Sequence, residues 1–121
     1  MILPRALLVA LLLSAAPAAG EEAVDCGSLS TQMEMNACAA RGRDAADAEL
    51  NLAWRDLRGR VSERTGAALL KAQRAWIAYR DLACEAEAGQ YEDGSIAPLI
   101  RATCLERLTR ARTRDLRDFG P

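Results

Sequence analysis

Apolar residues recur at intervals of three and four through most of the chain, the period of helices that bury one face. The pattern is clearest from Leu69 to Cys84, where Leu69, Ala72, Trp76, Tyr79 and Ala83 form one stripe and Leu70, Ile77 and Cys84 widen it. Such a face must be covered by other helices. Upstream, Thr31 and Glu34 have the spacing of a capping box, in which side chain and backbone at each position satisfy the other. Met35, Cys38, Ala46, Leu50, Trp54, Leu57 and Val61 continue at mostly helical intervals, leaving Arg41, Arg43, Arg55 and Arg58 to the opposite side. A long first helix is therefore expected from Thr31 to near Glu63.

Thr65-Gly66 reads as the turn that closes it, because glycine accepts the positive backbone angle of a helix end. So short a connection makes the second helix, Ala67 to Ala88, an antiparallel neighbour of the first, and Gly89 stops it. Residues 89–95, GQYEDGS, have two glycines, two acids and no apolar period, the signature of an exposed loop. Ser95 is placed to cap a third helix, and Pro98 fits its first turn, where the missing N–H would have had no partner. Ile96, Leu99, Ile100, Thr103, Leu108, Ala111 and Leu116 mark that helix, ended by Gly120-Pro121. No stretch has the period of a strand. The expected fold is all-α, a three-helix antiparallel bundle with a long first helix.

The extreme N-terminus changes the setting. Arg5, an apolar run from Ala6 to Leu13 and small residues from Ala15 to Gly20 have the layout of a secretory signal peptide, with cleavage after Ala18 or Gly20. The run is much shorter than the roughly 20 residues of a membrane span, and Glu21 and Glu22 follow at once. The signal is assigned to residues 1–20 and one small domain with a single core to residues 21–121, in the periplasm or outside the cell. No cysteine adjoins either cleavage point, so no lipid anchor is expected.

In an exported chain of this size an even number of cysteines reads as disulfides, here two among Cys26, Cys38, Cys84 and Cys104. There is no C-x-x-C pair and no histidine, which argues against a metal site, and no cofactor is expected. Three pairings are possible. The helix assignment favours Cys84 with Cys104, tying the second helix to the third, and Cys26 folded back onto Cys38; Cys38 beside Cys104 is the competing arrangement. The net charge of −1 is carried by interspersed acids and arginines, with Lys71 the only lysine, and lacks the clustered basic excess of a nucleic-acid binder.

Catalysis by a histidine base is impossible in a chain without histidine, and neither a Gly-x-Ser-x-Gly elbow nor a phosphate-cradling glycine loop is present. Paired carboxylates such as Asp44 with Asp47, or Asp47 with Asp81, have the chemistry that glycoside cleavage needs, two acids flanking a bond, but acids are abundant on any solvated helix. Gln73, Trp76, Tyr79 and Arg80 are residue types that concentrate binding energy in interfaces, but their helical spacing assigns them to the interior. Antiparallel pairing about the predicted turn sets Asp47 approximately level with Arg80 across the first two helices, so Asp47, Asn51, Gln73 and Arg80 are expected to form a polar core and Trp54, Trp76 and Tyr79 an aromatic one. That leaves Tyr91, Glu92, Asp93 and Ser95, an aromatic and two acids on a solvated loop, as the candidate contact surface for a partner.

The order of short motifs resembles the LprI-like lysozyme inhibitor family. They are Thr31-Gln32-x-Glu34-Met35-Asn36-x-Cys38-Ala39, Ala46-Asp47-x-Glu49-Leu50-Asn51, Ala72-Gln73-Arg74-Ala75-Trp76-Ile77-x-Tyr79-Arg80-Asp81-x-x-Cys84, and Cys104 with Leu108-Thr109-x-x-Arg112. Together they span nearly all of the exported portion. Gly42 and Arg43 depart from the pattern, standing where a tyrosine often precedes the Ala-Asp pair. The resemblance implies a bacterial, exported, disulfide-containing helical domain that binds a lysozyme-type hydrolase and blocks cell-wall cleavage without catalysing a reaction. An interaction module for another envelope protein, and a glycan hydrolase built on the paired carboxylates, are the alternative functions.

Overall fold

The computed structural model describes residues 25–120; the predicted signal lies outside them. Helix α1 runs from Gln32 to Arg60, α2 from Glu63 to Gly89 and α3 from Ala97 to Arg117, preceded by a single 3-10 turn at Cys26–Ser28. The α1 start is the expected capping box: Thr31 Oγ1 accepts from the Glu34 backbone N–H at 3.2 Å, and Glu34 Oε2 accepts from that of Thr31 at 3.0 Å. Disulfides join Cys26 to Cys38 and Cys84 to Cys104, the favoured pairing. The first staples the N-terminal turn onto α1, and the second joins α2 to α3.

The cross-helix bonds give the direction of each helix. Asn36 meets Ser95 and Arg60 meets the end of α3, so α1 and α3 run parallel. Asp47 meets Arg80, and Gln73 meets Arg112, so α2 runs antiparallel to both. The turn between α1 and α2 differs from expectation. It lies at Val61-Ser62, where Ser62 Oγ accepts from the Thr65 N–H at 3.2 Å and starts α2. Thr65 and Gly66 therefore belong to the first turns of α2. The Arg58 side chain fills the space beside Gly66: a Cβ at this position would lie 2.9 Å from Nε of Arg58, whose guanidinium lies over the Trp54 ring.

The packing centre also differs. α3, rather than the Leu69–Cys84 stretch, packs on both other helices, and its contact with α1 is the more extensive. Small residues on the facing surfaces permit this approach, with Cys38, Ala39, Ala46 and Ala53 of α1 buried with Ala102, Cys104, Thr109 and Thr113 of α3. Gly42 lies in the same seam, where a Cβ would fall 2.4 Å from a Glu106 carboxylate oxygen. The Glu106 carboxylate of α3 thus rests where a side chain at position 42 would begin. Leu50, Ala53, Leu57, Leu69 and Leu116 close the core from all three helices, with Trp54, Val61 and Trp76 packed against them.

Two predicted faces are rotated. In α3 the buried positions are Ala102, Cys104, Thr109, Thr113 and Leu116, while Thr103 is exposed. The Thr113 hydroxyl is satisfied within the helix by the Thr109 carbonyl, at 2.9 Å, so threonine can occupy the core without a stranded polar group. In α2 the inward stripe is Leu69, Gln73, Trp76, Arg80, Cys84 and Ala88, and Ala72 is exposed. Ser95 does not cap α3, which starts from Ile96 without a side-chain cap and carries Pro98 in its first turn.

Candidate functional site

Two regions hold residues capable of recognition. The first lies where the three helices meet around Arg80. Its Nη1 donates to Asp47 Oδ1 of α1 and Thr109 Oγ1 of α3, each at 3.3 Å, and its Nε donates to Asp81 Oδ1 at 2.9 Å. The same guanidinium stands 5.2 Å from the Trp76 ring centre, and Arg112 approaches that ring at 5.9 Å. Arg112 Nε also donates to Gln73 Oε1 at 2.9 Å, and Gln73 is only 7% exposed. A cation near an indole ring and a fork-shaped donor facing two carboxylates are favourable, partly desolvated arrangements. They join all three helices.

Two residues expected here are elsewhere. Tyr79 is 62% exposed, one position off the inward stripe, because the interior places go to Gln73 and Arg80, whose polar ends find partners on α1 and α3. Asn51 is exposed and makes no hydrogen bond to another helix among the described residues. Trp54 and Trp76 are both half-buried. A further polar contact, which the helical period alone does not reveal, joins α1 to α3: Arg110 donates to Glu106 at 3.0 Å and to Glu49 at 3.1 Å. The hydrogen bond that Arg110 donates to Glu106, then the one it donates to Glu49 and the charge of both, raise the Arg110 pKa against the opposing effect of burial.

The carboxylate pairs considered for glycoside cleavage are engaged within the chain. Asp47 and Asp81 both accept from Arg80, and Asp44 accepts from Arg43 at 2.9 Å. Glycoside cleavage needs two carboxyl groups free to flank a sugar bond. Among the described residues no group of three or more His, Cys, Asp or Glu side chains is placed to hold a metal ion.

The second region is the α2–α3 loop. Its backbone is a chain of tight turns: Tyr91 N–H to Ala88 O at 2.9 Å, Gly94 N–H to Tyr91 O at 2.8 Å, and Ala97 N–H to Gly94 O at 3.1 Å. Asn36 of α1 donates through Nδ2 to the Ser95 carbonyl at 3.0 Å, and its own Oδ1 accepts from Gln32 at 2.8 Å. The loop is thus fastened to α1 and spanned by the Cys84–Cys104 disulfide. Tyr91 is 45% exposed, Glu92, Asp93 and Ser95 are exposed, and neither acid has an ion-pair partner among the described residues. Met33, one helical turn before Asn36 and 80% exposed, lies at the same end of α1. This end presents an aromatic ring and two unneutralised carboxylates on a preorganised backbone, a form suited to a cationic protein surface.

Residues 25–116 match the model of the family described as Lysozyme inhibitor LprI. An uncharacterized protein of Rhizobium meliloti (strain 1021) is 40% identical over 123 residues, which cover 90% of this chain and 88% of the relative. No solved structure matches the chain. No helix among the described residues is long and apolar enough to cross a membrane.

Proposed function

The chain belongs to the LprI lysozyme inhibitor family, and on that premise we propose that it is an exported, non-catalytic protein that binds a lysozyme-type cell-wall hydrolase and occludes its substrate cleft. The contact is made by the α2–α3 loop, with Tyr91 as the anchor and Glu92 and Asp93 as charge partners. Signal removal leaves residues 21–121 acting in the periplasm or outside the cell.

The observation that carries this reading is the contrast in engagement. The aromatic and charged side chains around Trp76 and Arg80 have partners on three helices, whereas the Glu92 and Asp93 carboxylates lie exposed on a fixed loop without an ion pair among the described residues. Binding energy concentrates in aromatic anchors on surfaces that need little reordering. The engagement of Asp44, Asp47 and Asp81 by arginine supports a role without catalysis. The test is direct: purified oxidised protein is titrated into lysozyme acting on cell-wall substrate, and saturable inhibition at a fixed molar ratio is expected. Undiminished activity at large molar excess would refute the proposal. Glycan turnover by the protein itself, lost in Asp47→Asn with the fold intact, would put a hydrolase in its place.

A further inference from the structure

α2 carries a second heptad-spaced stripe that the bundle does not cover. Ala68, Ala72, Ala75, Tyr79, Leu82 and Ala86 are all exposed, Leu82 to 70%. Their spacing alternates four and three, the repeat with which one helix packs along another. We propose that this face pairs with α2 of a second copy of the chain, antiparallel and about a two-fold axis near Ile77.

Three features of α2 point to a second copy. The stripe is symmetric about residue 77, so antiparallel pairing sets Tyr79 opposite Ala75 of the other copy, Leu82 opposite Ala72, and Ala68 opposite Ala86. Each large side chain meets a small one, the complementarity of a self-matching isologous interface. The flanking charges are complementary in this register. Lys71 and Glu85 each stand one residue before a stripe position, Ala72 and Ala86, on opposite sides of the centre, so antiparallel pairing brings Lys71 of each copy near Glu85 of the other along the edge of the seam. Parallel pairing in register would instead bring the two basic halves together.

The charge order within α2 is otherwise unfavourable. Beyond Glu63, its exposed basic residues Arg64, Lys71 and Arg74 lie in the N-terminal half, its acids Asp81, Glu85 and Glu87 in the C-terminal half, and its last turn has no basic residue. A helix dipole favours the reverse order. Glu85 and Glu87 are partly compensated by Arg101 and Arg107 of α3, but Lys71 and Arg74 have no ion pair among the described residues. An antiparallel neighbour supplies an acid, Glu85, near Lys71. The dimer would also carry its two Tyr91 loops at opposite ends of the paired α2 helices, about 40 Å apart by helix rise. It would be bivalent.

Sedimentation equilibrium of the oxidised protein tests this independently of any hydrolase. The wild type is expected to be a dimer dissociating to monomer on dilution, and Leu82→Arg, at an exposed position, to be monomeric with unchanged helical circular dichroism. Lys71→Glu is expected to weaken dimerisation several-fold, and adding Glu85→Lys to restore it. A wild type that stays monomeric at its highest soluble concentration overturns the proposal. So does a dimer indifferent to Leu82→Arg, or a charge swap that fails to restore what the single change lost.

Discussion

The junction around Arg80 and the loop around Tyr91 hold similar residues, an aromatic ring beside charged groups, yet the structure engages them oppositely. At the junction one guanidinium serves Asp47, Asp81 and Thr109 and lies near Trp76. At the loop the backbone is tied down while the Tyr91, Glu92 and Asp93 side chains project into solvent. Residue type therefore does not distinguish a binding surface from a structural joint. The number of internal partners does. A side chain already satisfied on three helices cannot turn to a target without leaving a buried group unpaired, which costs about 1–3 kcal/mol.

The largest expected effect comes from the support shared by both regions. Replacing Cys84 and Cys104 by serine removes the link across the loop, and the entropy of a closure of this length predicts a loss of about 2–4 kcal/mol, read as a lowered midpoint in denaturant unfolding. Hydrolase inhibition should weaken as well, because the loop loses its anchorage. Arg80→Ala comes next, at about 2 kcal/mol, since it strands the wholly buried Thr109 hydroxyl and frees Asp47 and Asp81. A change below about 0.5 kcal/mol, within the range of ordinary surface substitutions, would show that the junction is not a joint at all. Asp47→Asn retains shape and some hydrogen bonding on a half-exposed carboxylate, so thermal unfolding should register less than about 1 kcal/mol. Smallest is Tyr91→Ala, whose ring is largely outside the core, with stability unchanged within about 0.5 kcal/mol by the same measurement.

Much of this architecture is legible in local chemistry. The Thr31 and Glu34 pair marks a helix start because the reciprocal bonds need only three residues of chain. Cys84 and Cys104 can be matched because each has a definite place on a helix beside one loop. The α1–α2 turn is misplaced by sequence because Gly66 suggests a positive backbone angle, whereas the Arg58 side chain fills the space beside it, a tertiary fact. The central position of α3 is hidden because Thr109 and Thr113 count as polar in any periodicity, although the backbone of their own helix satisfies Thr113. Tyr79 reads as a core residue for the complementary reason: its ring is apolar, but the partners of Gln73 and Arg80 fix the rotation of α2. At the loop, sequence supplies the exposed residues, while the Asn36 bond to Ser95 that holds them in place joins positions far apart in the chain.

The central claim is that the loop, and not the arginine–tryptophan junction, meets the hydrolase. It is tested most directly by comparing inhibition constants of the oxidised wild type, Asp47→Asn and the Tyr91→Ala, Glu92→Ala, Asp93→Ala triple variant in one lysozyme assay. The triple variant is expected to inhibit at least about 30-fold more weakly, the consequence of losing an anchor worth about 2 kcal/mol or more, while Asp47→Asn inhibits like the wild type. Full inhibition by the triple variant, with inhibition lost in Asp47→Asn at unchanged stability, would contradict the account.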